Sequence, residues 1–389
     1  MDANDSHSAR VPLRTIAREW TRLGVIGFGG PPTHISLLRK LCVDKNHWLD
    51  AQEFEDGVAA TNLLPGPAST QLAIFCAWRL RRTAGGLIGG LCFILPGLAI
   101  IVGLSAVFLS HDPPLWVLGA AAGSGAAVPA VALHAASRLV GPSRQRIGAG
   151  RSAHLRWFTY AVLGALSAAL LGAYVVVVLL GCGLIEIFVR SRGDAVRGGT
   201  LAVAPTALHT LAVAGLGALT LEALKIGALS FGGGFVIIPL MQHDVVSTFH
   251  WMTGAQFLNA VALGQVTPGP VVLTIAVVGY AVAGVGGALL ATLMAFAPSF
   301  LFVLGGAKYF DRIRANRTVT SFLAGASPAV IGAIAGSAIP LGRSLHHVWQ
   351  IPVLVGALVW LLVARRGVVS ALLLAGAIGI ILALVGVTV

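Results

Sequence analysis

Long runs of apolar residues without charge are the feature that most constrains how this chain can fold. The run at 84–109 contains no charged side chain, and about 20 apolar residues suffice for a helix to cross the ~30 Å hydrocarbon core of a bilayer. The other runs lie at 115–137, 157–189, 200–219, 282–307, 318–342, 348–364 and 367–388. The run at 157–189 contains only Glu186 as a charge and is predicted to form a hairpin of two short spans around Gly172, which gives about nine crossings in total.

The composition agrees with a membrane protein and excludes other classes. Hydrophobic residues make up 57% of the 389 residues and charged residues 10%, against about 25% charged in soluble domains. The formal net charge of +12 does not indicate nucleic-acid binding, because the basic residues stand in short clusters between the apolar runs, as the positive-inside rule predicts. The four cysteines are widely spaced, and no metal-ligand or catalytic motif is recognisable. We therefore predict no metal, no cofactor and no enzymatic activity.

Two regions, 13–83 and 220–281, do not fit simple spans and are copies of one another. Their similarity at a constant shift indicates a tandem duplication. Short apolar pieces interrupted by Gly and Pro also predict re-entrant or discontinuous helices at the FGG and PGP motifs. The pairs related by a shift of 203 residues are Phe28-Gly29-Gly30 with Phe231-Gly232-Gly233, Pro65-Gly66-Pro67 with Pro268-Gly269-Pro270, Glu19 with Glu222, Arg22 with Lys225 and Asn62 with Gln265.

The basic residues predict opposite orientations for the two halves. In the first half, arginines precede the span at 84–109, none follows it directly, and a basic cluster from Arg138 to Arg156 marks the cytoplasmic side again. In the second half, basic residues follow the span at 282–307 instead of preceding it. Inverted repeats of this kind are typical of secondary transporters. We predict an all-α polytopic membrane protein with repeats at 1–198 and 199–389, the second made of an inverting linker helix, 199–219, and a repeat core, 220–389.

The PGP motifs are the first candidates for substrate binding. A proline at the first position of a helix sacrifices no hydrogen bond. The next N–H groups, those of Ala68, Ser69 and Thr70, are predicted to lack helix partners, and free donors together with the helix dipole bind anions. The alternative is that each PGP motif is only a helix kink. The residues assigned to the site are Asn62, Pro65, Gly66, Pro67, Ser69, Thr70, Gln71, Gln265, Thr267, Pro268, Gly269 and Pro270.

The FGG motifs and nearby charged residues are the second group of candidates. Arg22 and Lys225 could neutralise a bound dianion or anchor the topology. Glu19 and Glu222, three residues earlier, could pair with these cations or carry protons. His34 could bind an anion or be structural. The glycines allow close approach of backbone to a ligand or tight helix packing, and this part of the predicted site consists of Phe28, Gly29, Gly30, Phe231, Gly232 and Gly233.

The motifs together resemble the chromate ion transporter family of bacteria and archaea. The resemblance covers nearly the whole chain. The chain is similar to the long, two-domain form of the family. The resemblance implies export of chromate, a tetrahedral dianion, and resistance to it. The first copy departs from the family pattern at Gly27, where Ser or Thr often precedes FGG, whereas Ser230 keeps that hydroxyl in the second copy. The matching segments are FGGPPTH (28–34), HWLDAQEF (47–54), NLLPGPASTQLA (62–73), LSFGGGFVIIPL (229–240) and VTPGPV (266–271).

We therefore predict a secondary transporter that exports chromate across the cytoplasmic (inner) membrane. Its predicted partners are the oxyanion and the lipid bilayer, not nucleic acid, and a homodimer is an open alternative. Motif spacing does not distinguish chromate from sulfate or molybdate, so transport of sulfate or another oxyanion is an alternative function. A membrane-embedded enzyme or assembly factor is a further alternative, but it would need polar catalytic residues facing one another inside the bundle, and the long spans offer few.

Overall fold

The computed structural model describes residues 11–110, 112–148, 150–193, 215–230, 235, 237–306 and 316–388, and within them every regular element is helical. This confirms the all-α prediction for the described ranges. The helices of the first half are α1 (Leu13–Ile26), α2 (Pro31–Arg39), α3 (Ala51–Thr61), α4 (Ala68–Phe108), α5 (Leu115–Ile147), α6 (Arg151–Leu166) and α7 (Val175–Gly193). Those of the second half are α8 (Leu216–Leu229), α9 (Ile237–His243), α10 (Gly254–Val266), α11 (Thr274–Gly306), α12 (Arg317–Arg343), α13 (Gln350–Leu358) and α14 (Val368–Leu384).

The two halves share their order of elements, helix for helix. Both α2 and α9 continue into a π-helical segment, Lys40–Lys45 and Asp244–Thr248 respectively. His47 and His250, at one repeat position, both adopt left-handed φ angles, 49° and 52°. The repeat is therefore visible in the backbone as well as in the sequence. Most of the predicted linker helix, 199–219, and the loop with Lys308, Arg312 and Arg314 lie outside the described residues.

Four helical segments are long and apolar enough to cross a membrane, namely Ala68–Phe108, Leu115–Ile147, Val271–Gly306 and Arg317–Arg343. Shorter apolar helices follow at Gln350–Val363 and Val368–Leu384. These segments contain the predicted spans at 84–109, 115–137, 318–342 and 367–388 almost entirely. A polytopic membrane protein is thus confirmed, whereas the number of crossings stays a prediction.

The long helices α4 and α11 are each divided by a sharp kink at equivalent places. Arg81 and Arg82 leave the helical conformation in α4, and Ala283 and Gly284 do so in α11 with nearly the same angles, φ 51° at Arg82 and 57° at Gly284. The segment 68–80 that precedes the first kink is about 20 Å long at 1.5 Å per residue. It is therefore too short to cross a ~30 Å hydrocarbon core by itself.

Each PGP motif lies at the tip of a helical hairpin. Helix α3 runs antiparallel to the first part of α4, because Glu53 forms an ion pair with Arg79 at the base and Gly57 packs on the Phe75 ring nearer the tip. In the second half Gly264 packs on the Thr274 side chain across the corresponding tip. The two breaks therefore join pairs of short helices rather than kink a single span.

The hairpin predicted within 157–189 is also confirmed. Helix α6 leads through Gly172, whose φ is 45°, into α7. Glu186 of α7 is fully buried and accepts hydrogen bonds from Arg156 Nε at 3.0 Å and Tyr160 Oη at 3.2 Å on α6, and from Arg190 Nε at 2.9 Å. Two cations and a hydroxyl thus compensate the carboxylate where α6 and α7 lie side by side.

The two halves interlock in the core. Helix α5 of the first half packs against α13 and α14 of the second, α12 packs against α6 and α7 of the first, and α4 packs against α11. Small residues make these contacts close, as is usual where helices pack in lipid. Gly123 lies against the Ala375 carbonyl and Gly332 against the Ala161 carbonyl. A binding site located between the two halves consequently contains residues of both.

Candidate functional site

A cavity of about 330 Å³ lies where the breaks of the first half meet α5 and α12. Gly29 of the FGG motif, Asn62 before the PGP motif and Ala68 at the start of α4 line one side. The second half contributes apolar residues of α12, such as Val330, together with Ser327. The cavity thus brings residues of both predicted motif groups together, and Gly29 and Asn62 are the predicted site residues that reach it.

The opposite wall of the cavity is a basic stripe on α5. His134, Arg138, Pro142 and Arg146 all line the cavity, and their spacing of four residues places them on one helix face. Arg138 and Arg146 are exposed. The Nδ1 atom of His134 is buried and has no hydrogen-bond partner among the residues that the structure describes. The cavity therefore presents two cations to an entering anion, with the His134 ring beside them.

The sequence-based site does not include this stripe. In the sequence, Arg138, Arg144 and Arg146 indicate only the cytoplasmic side, and His134 belongs to no recognised motif. The four-residue spacing from His134 to Arg146 was a signal that could have found them, because basic groups at helical spacing inside an apolar span are rare and usually face a cavity. Their location at the cavity nonetheless depends on the packing of α5 against α12 and the first break.

The FGG segment of the first half is bonded to the PGP segment of the second. The Gly269 N–H donates to the Gly27 carbonyl oxygen at 2.9 Å, and His34 Nε2 lies 2.9 Å from the same oxygen. Since a carbonyl only accepts, Nε2 carries the proton, and Nδ1 of a neutral ring accepts from the Ser69 hydroxyl at 3.1 Å. His34, 1% exposed, thus holds the two breaks together and does not line the cavity.

The first PGP break differs in one respect from the prediction. The N–H groups of both Thr70 and Gln71 donate to the Pro67 carbonyl, at 2.9 and 3.0 Å, so the Thr70 N–H is not free as expected. The first turn of α4 closes tightly because Pro67 has an extended backbone whose carbonyl points along the helix. The Gln71 side chain donates to the Pro65 carbonyl at 2.7 Å and staples the turn from the other side.

The polar side chains near the second PGP break lie away from the cavity. The Thr267 hydroxyl donates to the Leu263 carbonyl at 2.7 Å, Gln265 is buried, and Pro268, Gly269 and Pro270 are buried as well. Ser230, also buried, donates to the Ile226 carbonyl. None of these residues lines the cavity described above. Phe231, Gly232 and Gly233 lie outside the described residues, and Phe28 is exposed.

The predicted cations do not line the cavity either. Arg22 has a side chain that is 65% exposed and stands 3.9 Å from Glu19, which also accepts from Arg18 at 2.9 Å. Lys225 is largely buried between Glu222 and Asp244, with ion pairs to both carboxylates. The pairing of each glutamate with its cation, foreseen as one alternative, is therefore present in both halves.

The family model described as "Chromate transporter" matches residues 14–187 and 217–381, which lie in the two halves. No solved structure matches the chain.

Several curated relatives are similar over most of the chain. The chromate transport protein of Cupriavidus metallidurans is 32% identical over 89% of this chain and 86% of its own length. The probable chromate transport protein of Synechococcus elongatus is 30% identical over 86% of both chains. The chromate transport protein of Pseudomonas aeruginosa is 31% identical over 83% of this chain and 79% of its own. On these matches, the chain belongs to the chromate transporter family.

Proposed function

We propose that the protein is a secondary transporter that exports chromate from the cytoplasm across the inner membrane and thereby confers resistance. The observation that carries the proposal is the cavity in which Arg138 and Arg146 face the FGG and PGP breaks of the first half. Family membership and the names of the relatives support chromate as the cargo and transport rather than catalysis as the activity. The direction and the physiological role are our inference.

The basic stripe suggests how a dianion enters. Arg146 stands near the end of α5, Arg138 two turns deeper and His134 one turn beyond it, so an anion meets positive charge first and hydrogen-bond donors afterwards. Opposite charge offsets part of the cost of removing the dianion from water, which amounts to several kcal/mol per charge. The Arg138–Arg156 cluster marks the predicted cytoplasmic side, so the cavity would receive its anion from the cytoplasm.

The two halves would form an inverted repeat in which the PGP hairpins are re-entrant. The segment 68–80 is too short for a span, and its hairpin partner α3 begins at Ala51, close to Arg79 through the Glu53 ion pair. A hairpin that enters and leaves by the same face brings its tip to the middle of the membrane, where transporters of this architecture bind substrate. Rocking of one half against the other would then expose the tip to the other side.

The membrane potential favours export. An interior-negative potential is worth ~2.3 kcal/mol per charge per 100 mV, so a dianion gains about 4–5 kcal/mol on leaving the cell. Uptake of the same anion would require coupled cations. Glu19 and Glu222 are the candidates for proton coupling, and that role stays a prediction, as does association into a homodimer.

The test is chromate flux in proteoliposomes and in everted vesicles, with sulfate and molybdate as competitors. We expect Arg138→Gln to lower chromate flux about tenfold, because one charge-assisted contact of roughly 1.5–3 kcal/mol is lost. Arg366→Gln, an exposed arginine outside the cavity, is the matched control and should transport normally. Flux of sulfate but not chromate, or equal flux in Arg138→Gln and wild type at limiting chromate, would contradict the proposal.

A further inference from the structure

The two PGP breaks are equivalent in sequence position but not in chemistry. After Pro67 the helix begins with Ala68, Ser69, Thr70 and Gln71, whereas after Pro270 it begins with three apolar residues, Val271–Leu273. Thr274, the one polar residue of the second turn, donates to the Val271 carbonyl at 2.8 Å. Gln265 Nε2, before the second break, is also buried without a partner in the described part of the chain. The first residues after the break, however, include free polar side chains only in the first half.

Three polar atoms at the first break are buried without partners. They are the Thr70 hydroxyl, the Gln71 carbonyl oxygen and the hydroxyl of Ser299 on α11. All three residues are 0% exposed, and within the described part of the chain none of these atoms has a hydrogen-bond partner. A buried polar atom without a partner lowers the stability of the fold, so these three atoms call for an explanation beyond packing.

Ser299 reaches this break from the other half. A Cβ atom placed on Gly66 would lie 3.0 Å from the Ser299 hydroxyl and 2.5 Å from the Gln71 amide nitrogen. Gly66 has a φ of 122°, which a side chain would strain. The glycine at the tip therefore leaves the Ser299 hydroxyl and the Gln71 side chain facing the same point.

The equivalent position in the first half carries no such group. The kinks at Arg82 and Gly284 establish a shift of 202 residues along α4 and α11, and the same shift pairs Pro96 with Pro298 and Gly97 with Ser299. Gly97 packs directly on the Pro268 carbonyl of the second break. At the second break, Gly97 thus packs directly on the backbone. At the first break, Ser299 occupies the equivalent position, and its hydroxyl has no hydrogen-bond partner in the described part of the chain.

We propose that Ser299, with Thr70 and Gln71, forms an inner oxyanion-binding site that the substrate reaches after the basic cavity. Asn62 and Ala68 line the cavity. Thr70 and Gln71 belong to the first turn of α4, which begins at Ala68, and Ser299 lies near Gly66 at the tip. The Ser299 and Thr70 hydroxyls can donate to a tetrahedral oxyanion, as can the one Gln71 amide hydrogen that is not bonded to the Pro65 carbonyl. The Gln71 carbonyl oxygen is an acceptor and makes no such contact. These donors add no fixed charge, which permits release of the anion. The inference rests on the proposed function, since it assumes that an oxyanion crosses at this break.

The experiment compares Ser299→Ala with Ser337→Ala in the purified full-length chain. Ser337 is also 0% exposed, but its hydroxyl donates to the Ile334 carbonyl at 2.8 Å. We measure the KM and maximal rate of chromate flux in proteoliposomes, thermal stability, and the shift in melting temperature caused by chromate. Ser299→Ala should raise KM about tenfold or more, reduce the chromate-induced shift, and leave thermal stability equal to or above that of wild type. Ser337→Ala should keep the wild-type KM.

The outcomes separate the two proposals. If the wild-type protein moves no chromate above empty liposomes, the proposed function fails. If wild type transports and Ser299→Ala has an unchanged KM and an unchanged chromate-induced shift, the inner site is refuted. Should Ser299→Ala be poorly folded, Ser299→Gly removes the hydroxyl and introduces the residue that the first half has at this position. Wild-type flux in that variant would equally overturn the inference.

Discussion

At the scale of single residues, the same repeat position can serve different purposes in the two halves. Arg22 and Lys225 are related by the repeat, yet Arg22 is exposed and 3.9 Å from its carboxylate partner. Lys225 is partly buried and forms ion pairs with both Glu222 and Asp244. The residue that corresponds to Asp244 is Leu41, so the first half has no second carboxylate at this place. The presence of Asp244 in one half and Leu41 in the other therefore determines how many carboxylates the cation pairs with.

We expect Lys225→Gln to destabilise the protein far more than Arg22→Gln. Removal of one partner from a fully buried ion pair costs about 3–5 kcal/mol, and the partial exposure of Lys225 and Asp244 lowers that cost. The cost arises because Glu222 and Asp244 would lie near each other without a cation. Loss of an exposed pair costs roughly 0–1 kcal/mol. Thermal unfolding of both variants in the same detergent is the measurement. Equal melting temperatures for the two would show that the buried network contributes nothing.

At the scale of elements, glycine and alanine determine how closely the helices of one half approach those of the other. Gly332 and Gly336 on α12 lie one turn apart and face the backbone of Ala161 and Ala165 on α6, while Gly164 of α6 faces Ala329. This small-residue seam allows van der Waals contact between backbones, which is the main source of helix association in lipid. The seam also positions α12, which forms one wall of the basic cavity.

A leucine at the seam should separate the two helices. We expect Gly332→Leu to lower the melting temperature strongly and to abolish chromate flux, since no rotamer fits between the helices. Gly342→Leu on the same helix is the matched control, because a Cβ there meets nothing within 4 Å. Comparable stability of the two leucine variants would mean that α6 and α12 do not pack closely in the membrane.

At the scale of the whole molecule, cavities lie at both ends of α5. The basic cavity contacts residues 134–146, and a second cavity of about 310 Å³ contacts Leu118 and Ala122 near the other end. Gln350 borders the second cavity, donating to the Ala122 carbonyl at 3.1 Å and accepting from the His346 and His347 N–H groups. Under the proposed function, we expect these two cavities to serve opposite sides of the membrane, as alternating access requires.

The inverted repeat predicts on which side of the membrane each of the kinks in α4 and α11 lies. A reporter fused after Arg82 should read cytoplasmic, whereas one fused after Tyr280, just before the equivalent kink in α11, should read periplasmic. The physical reason is the excess of Arg around the first kink and its absence around the second. A paired phosphatase and fluorescent-protein fusion at each site measures this directly. The same side for both fusions would exclude opposite orientations of the halves.

The sequence alone determined the class of protein, the repeat and the positions of both PGP breaks. Those features follow from local properties: an apolar run must leave water, and Gly and Pro interrupt a helix wherever they occur. The four-residue spacing of the basic face from His134 to Arg146 is also visible in the sequence. Its location at the cavity is not. Only the tertiary structure decided that this face meets Gly29 and Asn62, that His34 ties the breaks together instead of lining the cavity, and that Ser299 faces Gly66 from more than 200 residues away. Contacts of that range depend on how complete helices pack, which no local pattern specifies.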